Sequence, residues 1–226
     1  MKFFAALFLI VSLFAHEALF AQTGEGASRP DALRSYRIGR DLEIRDRMEE
    51  ANQYYNEAVR ICLDEIAQNA ANMDSYTVLT WTLQRQRRYT EVISWGERGL
   101  NVNSNDYRVI ETMGEAYFYL DRYNDSLRCM QRYVNSIPQG ERTSVAYFFI
   151  GEIYRLQRKY RRADIAYTTA VRLDPSSALW WYRLGTVRES AGDPSPATEA
   201  YERALRLNPN YQEAREGLER VRRSAA

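Results

Sequence analysis

The chain has 226 residues, 45% of them hydrophobic and 27% charged, with a formal net charge of +1. This composition excludes a low-complexity or collagen-like chain. A balance so near neutrality also excludes a bulk field that would draw the whole molecule to nucleic acid or to an anionic membrane.

The chain opens on MKFFAALFLIVSLFAHEALFA, residues 1–21. Lys2 supplies a positive start, Phe3 to Phe14 an apolar run, and Ala21 a small residue before Gln22, which together predict a secretory signal peptide and an exported, periplasmic protein. The run breaks at His16-Glu17, short of the roughly 20 residues that a membrane-spanning helix needs. Leu19 is bulky where a small residue is preferred, so an uncleaved N-terminal anchor is the alternative. No cysteine follows the cleavage point to accept a lipid. Cleavage would remove His16, the single histidine, and with it every Ser-His-Asp, Cys-His or histidine-ligated metal site. No glycine-rich phosphate loop or C-x-x-C follows. The expectation is no catalytic residue, no metal, no cofactor and no nucleic-acid partner. Residues 22–32, QTGEGASRPDA, read as a flexible leader.

From residue 33 to 226 apolar residues recur at helical spacing and hairpin-turn signals between strands are scarce. The stretch divides into units. A degenerate one covers 39–72, with Tyr55, Ala58, Cys62 and Ile66 on its second helix. The next covers 73–106, with Tyr76, Leu79, Leu83, Tyr89 and Val92. Residues 107–140 carry Gly114, Tyr117, Ser126, Met130 and Pro138. Gly114 to Gly151 is three residues longer than the other spacings, which predicts a longer loop near 139–143. Residues 144–177 and 178–211 then match closely: Gly151, Ala163, Tyr167, Ala170 and Pro175 recur as Gly185, Ala197, Tyr201, Ala204 and Pro209. Residues 212–224 predict a polar-faced final helix covering the last apolar face. Gly192 suits a left-handed turn, and Ser195 with Pro196 predicts the capped start of the following helix. Cys62 and Cys129 each sit in an apolar helical pattern and read as small core residues.

Trp181, Leu184, Gly185, Ala197, Tyr201, Ala204 and Pro209 follow the pattern W-x2-L-G-x2-Y, A-x3-F, P, with Arg188 in place of the expected tyrosine. Over about 39–226 the chain resembles the tetratricopeptide-repeat family. The resemblance implies an all-α, right-handed α-solenoid of helix-turn-helix repeats with a C-terminal capping helix. It also implies a concave groove, lined by the first helix of each repeat, in which partner peptides bind.

Placed on that face, the inner positions carry Trp81, Gln84, Arg85, Arg108, Glu111, Glu115, Phe118, Tyr119, Phe148, Glu152, Arg155, Leu179, Tyr182, Thr186 and Glu189. Exposed aromatics in a groove are common binding anchors. The interleaved carboxylates favour a partner segment with basic and aromatic or apolar residues, although aromatics here could instead pack between repeats. Trp180 is open in the same way, as packing or as an exposed anchor. The chaperone-type members of the family grip a C-terminal carboxylate with Lys, Asn and Arg. The corresponding places here hold Thr77, Trp81, Arg108, Val145 and Phe149, so no such clamp is expected.

A second candidate is a basic rim. Arg85, Arg87, Arg88, Arg122, Arg158, Lys159, Arg161 and Arg162 cluster at the turns within units. They could grip an anionic envelope ligand or surface, giving peripheral association, or form a solvated rim paired with Glu91, Glu152 and Asp164. A remote third possibility is a glycan hydrolase using Glu111, Glu115 and Glu152. The leading expectation is a protein-interaction scaffold or adaptor of the bacterial cell envelope.

Overall fold

The computed structural model describes residues 31–224. The expected signal peptide at 1–21, and the leader up to residue 30, lie outside the described residues. Within the described residues every element is a helix: α1 (Ala32–Ile44), α2 (Met48–Gln68), α3 (Met73–Arg85), α4 (Tyr89–Val102), α5 (Tyr107–Tyr119), α6 (Tyr123–Ser136), α7 (Thr143–Leu156), α8 (Tyr160–Leu173), α9 (Ala178–Ser190), α10 (Pro194–Leu207) and α11 (Gln212–Ser224). None of them is long and apolar enough to cross a membrane.

Consecutive helices pack as antiparallel hairpins, α1 with α2 through α9 with α10, and each hairpin packs on the next. The first helices also touch one another: α1 meets α3, α3 meets α5, α5 meets α7, and α9 meets α11. Closer approach among the first helices than among the second ones bends the stack, so the first helices line its inner, concave side.

Small residues set the distance within each hairpin. A Cβ at Gly151 would stand 2.7 Å from the ring of Tyr167, and one at Gly185 would stand 2.7 Å from the ring of Tyr201. Both tyrosines are fully buried. The same pair occurs at Gly39 and Tyr55, 2.5 Å apart by the same construction. Gly39, Ala51, Tyr55 and Ala58 therefore repeat the spacing of Gly185, Ala197, Tyr201 and Ala204. This corrects the first unit. It begins at Ala32 rather than residue 39, so Ala32 belongs to a helix and not to the leader. The register is hidden because α2 has 21 residues where each later second helix has 14.

The turn inside each hairpin places one residue in the left-handed region: Asp46, Arg87, Asp121, Arg158 and Gly192, with φ of 59°, 59°, 58°, 57° and 80°. Gly192 fills the role expected of it. Ser195 does not: α10 starts at Pro194 with Asp193 before it, and no side chain caps its N-terminus. Proline at a first helical position lacks an N–H that would be unsatisfied anyway. Between hairpins, Asp106 caps α5 by accepting from the backbone N–H groups of Arg108 and Val109. Ser177 caps α9 through the N–H of Trp180.

The longer loop expected near 139–143 is present, running from Ile137 to Arg142 between α6 and α7. It is tightly tied. Gly140 N–H donates to Ile137 O, Thr143 N–H to Gly140 O, and Thr143 Oγ1 to Ile137 O at 2.7 Å. At the far end α11 buries Ala214, Gly217, Leu218 and Val221 against α10 and the ring of Tyr201. Cys62 is buried in the first core cluster and Cys129 packs partly buried between the first two; both are free thiols.

Candidate functional site: the concave groove

The inner face is built on a chain of aromatic rings that crosses four helices. Tyr89 of α4 stacks on Tyr119 of α5 with centroids 4.8 Å apart. Tyr119 and Phe118 both meet Phe149 of α7 edge-on. Phe149 meets Phe148, and Phe148 stacks on Trp180 of α9 at 5.2 Å and 15°. Trp180 is thus partly buried packing between repeats and not a free anchor. Tyr182 lies farther along, against Tyr201 and Tyr211. Trp81 sits against Tyr36 of α1, 5.8 Å away.

Most of these rings face other rings, so the site's exposed apolar surface comes from the helix ends. Ile44, Tyr119 and Leu156 are the last residues of α1, α5 and α7, and all three are exposed, Tyr119 at 51%. Leu179, near the start of α9, is exposed as well.

The groove carboxylates depart from expectation. Glu111, Glu115 and Glu152 are only 5, 6 and 6% exposed. Each is covered by arginine. Arg142, from the α6–α7 loop, donates through Nε to Glu111 at 2.8 Å and through Nη2 to Glu115. Gln84 of α3 reaches the other oxygen of Glu115 through its amide N–H. Glu152 accepts from the Tyr167 hydroxyl at 2.5 Å and pairs with Arg155 at 2.7 Å and Arg183 at 3.0 Å. Glu189 accepts from the Tyr201 hydroxyl and pairs with Arg220 at 2.9 Å. A row of carboxylates free to greet a basic partner, the basis of the expected preference, is therefore absent from the described groove. A carboxylate leaving water on an inner helix must be paired, and these are paired within the chain.

The Glu152 and Glu189 arrangements have a counterpart in the first hairpin, where the Tyr55 hydroxyl donates to Glu43 at 2.6 Å and Arg85 pairs with Glu43 at 2.8 Å. A tyrosine from the second helix, a glutamate from the first, and an arginine from the next inner helix recur as one device. Burial, reinforced by the neighbouring glutamate, pushes the Tyr55, Tyr167 and Tyr201 hydroxyls far up, so they remain donors. Burial also works to raise Glu189. Hydrogen bonds from Arg220 and Tyr201 outweigh it and hold that carboxyl below its ordinary value.

Glu111 goes the other way. Burial first, and the neighbouring Glu115 second, push its carboxyl up to about 8 against the pull of Arg142. One guanidinium serves two buried carboxylates, and its pull does not offset burial at Glu111. The pair lies on a cleft of about 590 Å³ on the N-terminal half of the groove, bounded by Tyr36, Trp81, Arg108 and the loop residues Ile137, Gly140 and Arg142. Arg108 is itself held by Asp106 at 2.7 Å and Asp74 at 3.1 Å.

Arg85, placed by the sequence both on the inner face and at the rim, lines this cleft and is not a rim residue. The rest of the rim is largely paired or occupied. Arg88 binds Glu91 at 2.6 Å, Arg122 binds Asp125 at 2.8 Å, and Arg161 binds Asp193. Lys159 donates to Gln157, and Arg162 lies over the Tyr154 ring. Of the three acids expected to neutralise the rim, only Glu91 does so. Glu152 faces the groove, and Asp164 pairs with Arg188 across the next repeat.

Two groups of groove residues escaped the sequence reading. Tyr36, Arg40 and Ile44 of α1 were missed because the first unit was placed seven positions late. Arg142 was missed because an insertion has no equivalent in the other repeats. The Gly39–Ala51–Tyr55–Ala58 spacing was the signal that could have recovered the first group.

Models of the tetratricopeptide repeat match residues 144–177 and 178–211. The chain is a tetratricopeptide-repeat protein. Human protein O-mannosyl-transferase TMTC3 is 26% identical over 184 residues, covering 77% of this tetratricopeptide-repeat chain and 20% of the relative. The peroxisomal targeting signal receptor of Kluyveromyces lactis is 26% identical over 102 residues, 44% of this chain and 18% of the receptor. The chain thus spans about a fifth of the length of the curated relatives it matches. Among solved structures, MamA from Desulfovibrio magneticus RS-1 superposes with a TM-score of 0.60 at 18% identity, covering 80% of this chain and 96% of that one. YrrB, described as a tetratricopeptide-repeat protein with an unusual peptide-binding site, superposes with a TM-score of 0.58 at 17% identity, covering 84% and 92%. At such identities the likeness is one of fold. Tetratricopeptide-repeat proteins commonly mediate protein–protein interaction.

Proposed function

We propose that the protein is an interaction scaffold or adaptor of the bacterial cell envelope, exported through residues 1–21, which holds an extended or helical partner segment in its concave groove. The observation that carries this reading is the exposed apolar series Ile44, Tyr119, Leu156 and Leu179 on the inner helices, over a floor of stacked rings. Exposed apolar side chains beside a rigid aromatic floor suit a partner's apolar anchors, because little side-chain freedom is left to lose on binding. The peptide-binding site ascribed to YrrB supports the idea that this fold accommodates a peptide. The test is crosslinking with mass spectrometry in the protein's own cell, comparing wild type with Tyr119→Ala/Leu156→Ala. Partner capture is expected to drop at least tenfold while the circular-dichroism melt stays within a few degrees. Unchanged capture would refute the groove. Export is checked separately by N-terminal sequencing, where a mature start at Gln22 is expected and an intact Met1 would sink cleavage.

A second reading, docking to an anionic envelope ligand through the rim, has one observation in its favour. Arg158, Lys159, Arg161 and Arg162 surround a shallow hollow of about 370 Å³ at the start of α8, whose first turn holds no acidic residue. Such docking would collapse as salt rises, whereas groove binding would persist. The carboxylates that a hydrolase would use are engaged: Glu111 and Glu115 with Arg142, and Glu152 with Tyr167, Arg155 and Arg183.

A further inference from the structure

We propose that Arg142 is an internal stand-in for a basic side chain of the partner, and that a lysine or arginine of the bound segment takes its place on Glu111 and Glu115. The proposal rests on the groove reading and specifies what enters its N-terminal half.

The two sides of this ion cluster differ in how they are held. Glu111 and Glu115 stand one turn apart on α5, both buried, on a helix packed between α3, α4, α6 and α7. They cannot withdraw without unpacking the stack. Arg142 comes from the loop between α6 and α7, and its side chain is 48% exposed. The loop is the insertion that lengthens the spacing between Gly114 and Gly151, so the cation it brings is no part of the packing that the other repeats share. An arginine already seated on the pair shows what the site accepts: a planar guanidinium whose Nε and Nη2 reach two separate carboxylates.

The surroundings ask for positive charge. The cleft holds Arg40, Arg85, Arg108 and Arg142, with Glu111, Glu115 and Glu141. Arg85 is already paired with Glu43, and Arg108 with Asp74 and Asp106. With those two guanidiniums committed, taking Arg142 away leaves Glu111 and Glu115 without their paired cation. Gln84, bonded to Glu115 through its amide N–H, has its Oε1 buried without a donor. An incoming ammonium or guanidinium carries N–H groups to spare for it. Tyr36 and Trp81 bound the same cleft and give the stem of a basic side chain apolar wall to lie against. Exchanging one arginine for another leaves the electrostatics of the buried pair nearly unchanged. A neutral side chain entering instead would leave the buried pair without its cation. The exchange therefore selects for charge.

The test uses the full chain and two fluorescein-labelled peptides of alternating leucine and arginine, or leucine and citrulline, the neutral isostere. Fluorescence anisotropy is expected to show Arg142→Gln binding the arginine peptide about tenfold tighter than wild type, with the citrulline peptide unchanged. Adding Glu111→Gln and Glu115→Gln should erase the gain. An arginine affinity that is unchanged or weakened in Arg142→Gln, or a gain shared equally by the citrulline peptide, overturns the proposal. Should Arg142→Gln fail to fold, hydrogen exchange on the wild-type protein decides. The arginine peptide should speed exchange over residues 139–143, and an unaltered loop at saturation overturns the exchange. If both peptides bind equally and Tyr119→Ala weakens them, the groove stands and this proposal falls. If neither peptide binds any variant, both fall.

Discussion

Glu111 is placed under opposed demands, and its titration follows from them. Burial and Glu115 favour the protonated form, Arg142 the ionised one, and the carboxyl ends at about 8. In the unfolded chain it returns to the ordinary carboxylate range of about 4.3. Between those values the folded state binds more protons than the unfolded state, so stability falls as pH rises. The contribution is fully present below the unfolded value and is lost as pH passes through about 8. Urea melts at pH 6.0 and pH 8.5 should therefore show a lower midpoint at the higher pH. Glu111→Gln, which keeps an acceptor for Arg142 without the charge, should flatten that difference and exceed wild type at pH 8.5. A wild-type midpoint that does not fall over this interval would contradict the assignment. Burial pushes the Cys62 and Cys129 thiols to about 12 and about 11, so neither confuses this window. A second residue-scale consequence concerns Arg158, which holds φ at 57° in its turn. A left-handed conformation costs an L-residue about 1–2 kcal/mol, and glycine gives back about 0.5–1 kcal/mol in unfolded-state entropy. Arg158→Gly is expected to stabilise the protein by about 0.5–1 kcal/mol, with Arg158→Ala near wild type. Equal denaturation midpoints for the glycine and alanine variants would show that the turn carries no strain.

At the scale of the helix pair, the glycine–tyrosine contact is the repeating unit of packing. A methyl at Gly185 meets three ring atoms of Tyr201 at 2.7–3.1 Å, and that ring is enclosed from its other side by Gly217 of α11. The ring has nowhere to go. Alanine gains about 1 kcal/mol of helix propensity over glycine, while overpacking a filled core costs about 1–3 kcal/mol. The clash is expected to win, so Gly185→Ala should lower stability by about 1–2 kcal/mol in urea denaturation. A stabilised variant would mean that the hairpin opens without penalty. This contact also explains what could be read from the chain beforehand. Gly151, Tyr167, Gly185 and Tyr201 recur at one spacing and gave away the last two hairpins. In α4 the glycine lies on the second helix, where Gly96 faces the Met113 side chain from the following hairpin and the tyrosine is missing. In α2 the lengthened helix shifts everything before it out of phase. The groove was legible only in part for a related reason. Helical periodicity says which face Glu111 and Glu152 occupy. It cannot say that Arg142 or Arg183, from other elements, will close over them. Burial of a charge is decided by its partner, and the partner arrives through tertiary structure.

Over the described stack, each hairpin buries its apolar surface on its neighbours, and α11 covers the outer face of the α9–α10 hairpin. It does more than cover Tyr201 and Ala204. It packs against α9 as the next inner helix would, and its Arg220 completes the Glu189–Tyr201 device that Arg85 and Arg183 complete elsewhere. The capping helix is thus half a repeat, with Glu213, Arg215, Glu216, Glu219 and Arg222 turned to water. In a linear stack, stability is close to a sum of unit and neighbour terms, so damage at one end stays local before it spreads. Deleting residues 212–226 removes the burial of Leu218 and Val221, each worth about 1.5–3 kcal/mol when complete, and strands Glu189 without its arginine. Hydrogen exchange on the truncated chain should then show α9 and α10 losing most of their protection while α5 to α8 keep theirs. A uniform loss across all hairpins would mean that the stack folds as one cooperative block. Retained protection in α9 and α10 would mean that the α9–α10 hairpin is stable without a cap, and that α11 serves the groove instead.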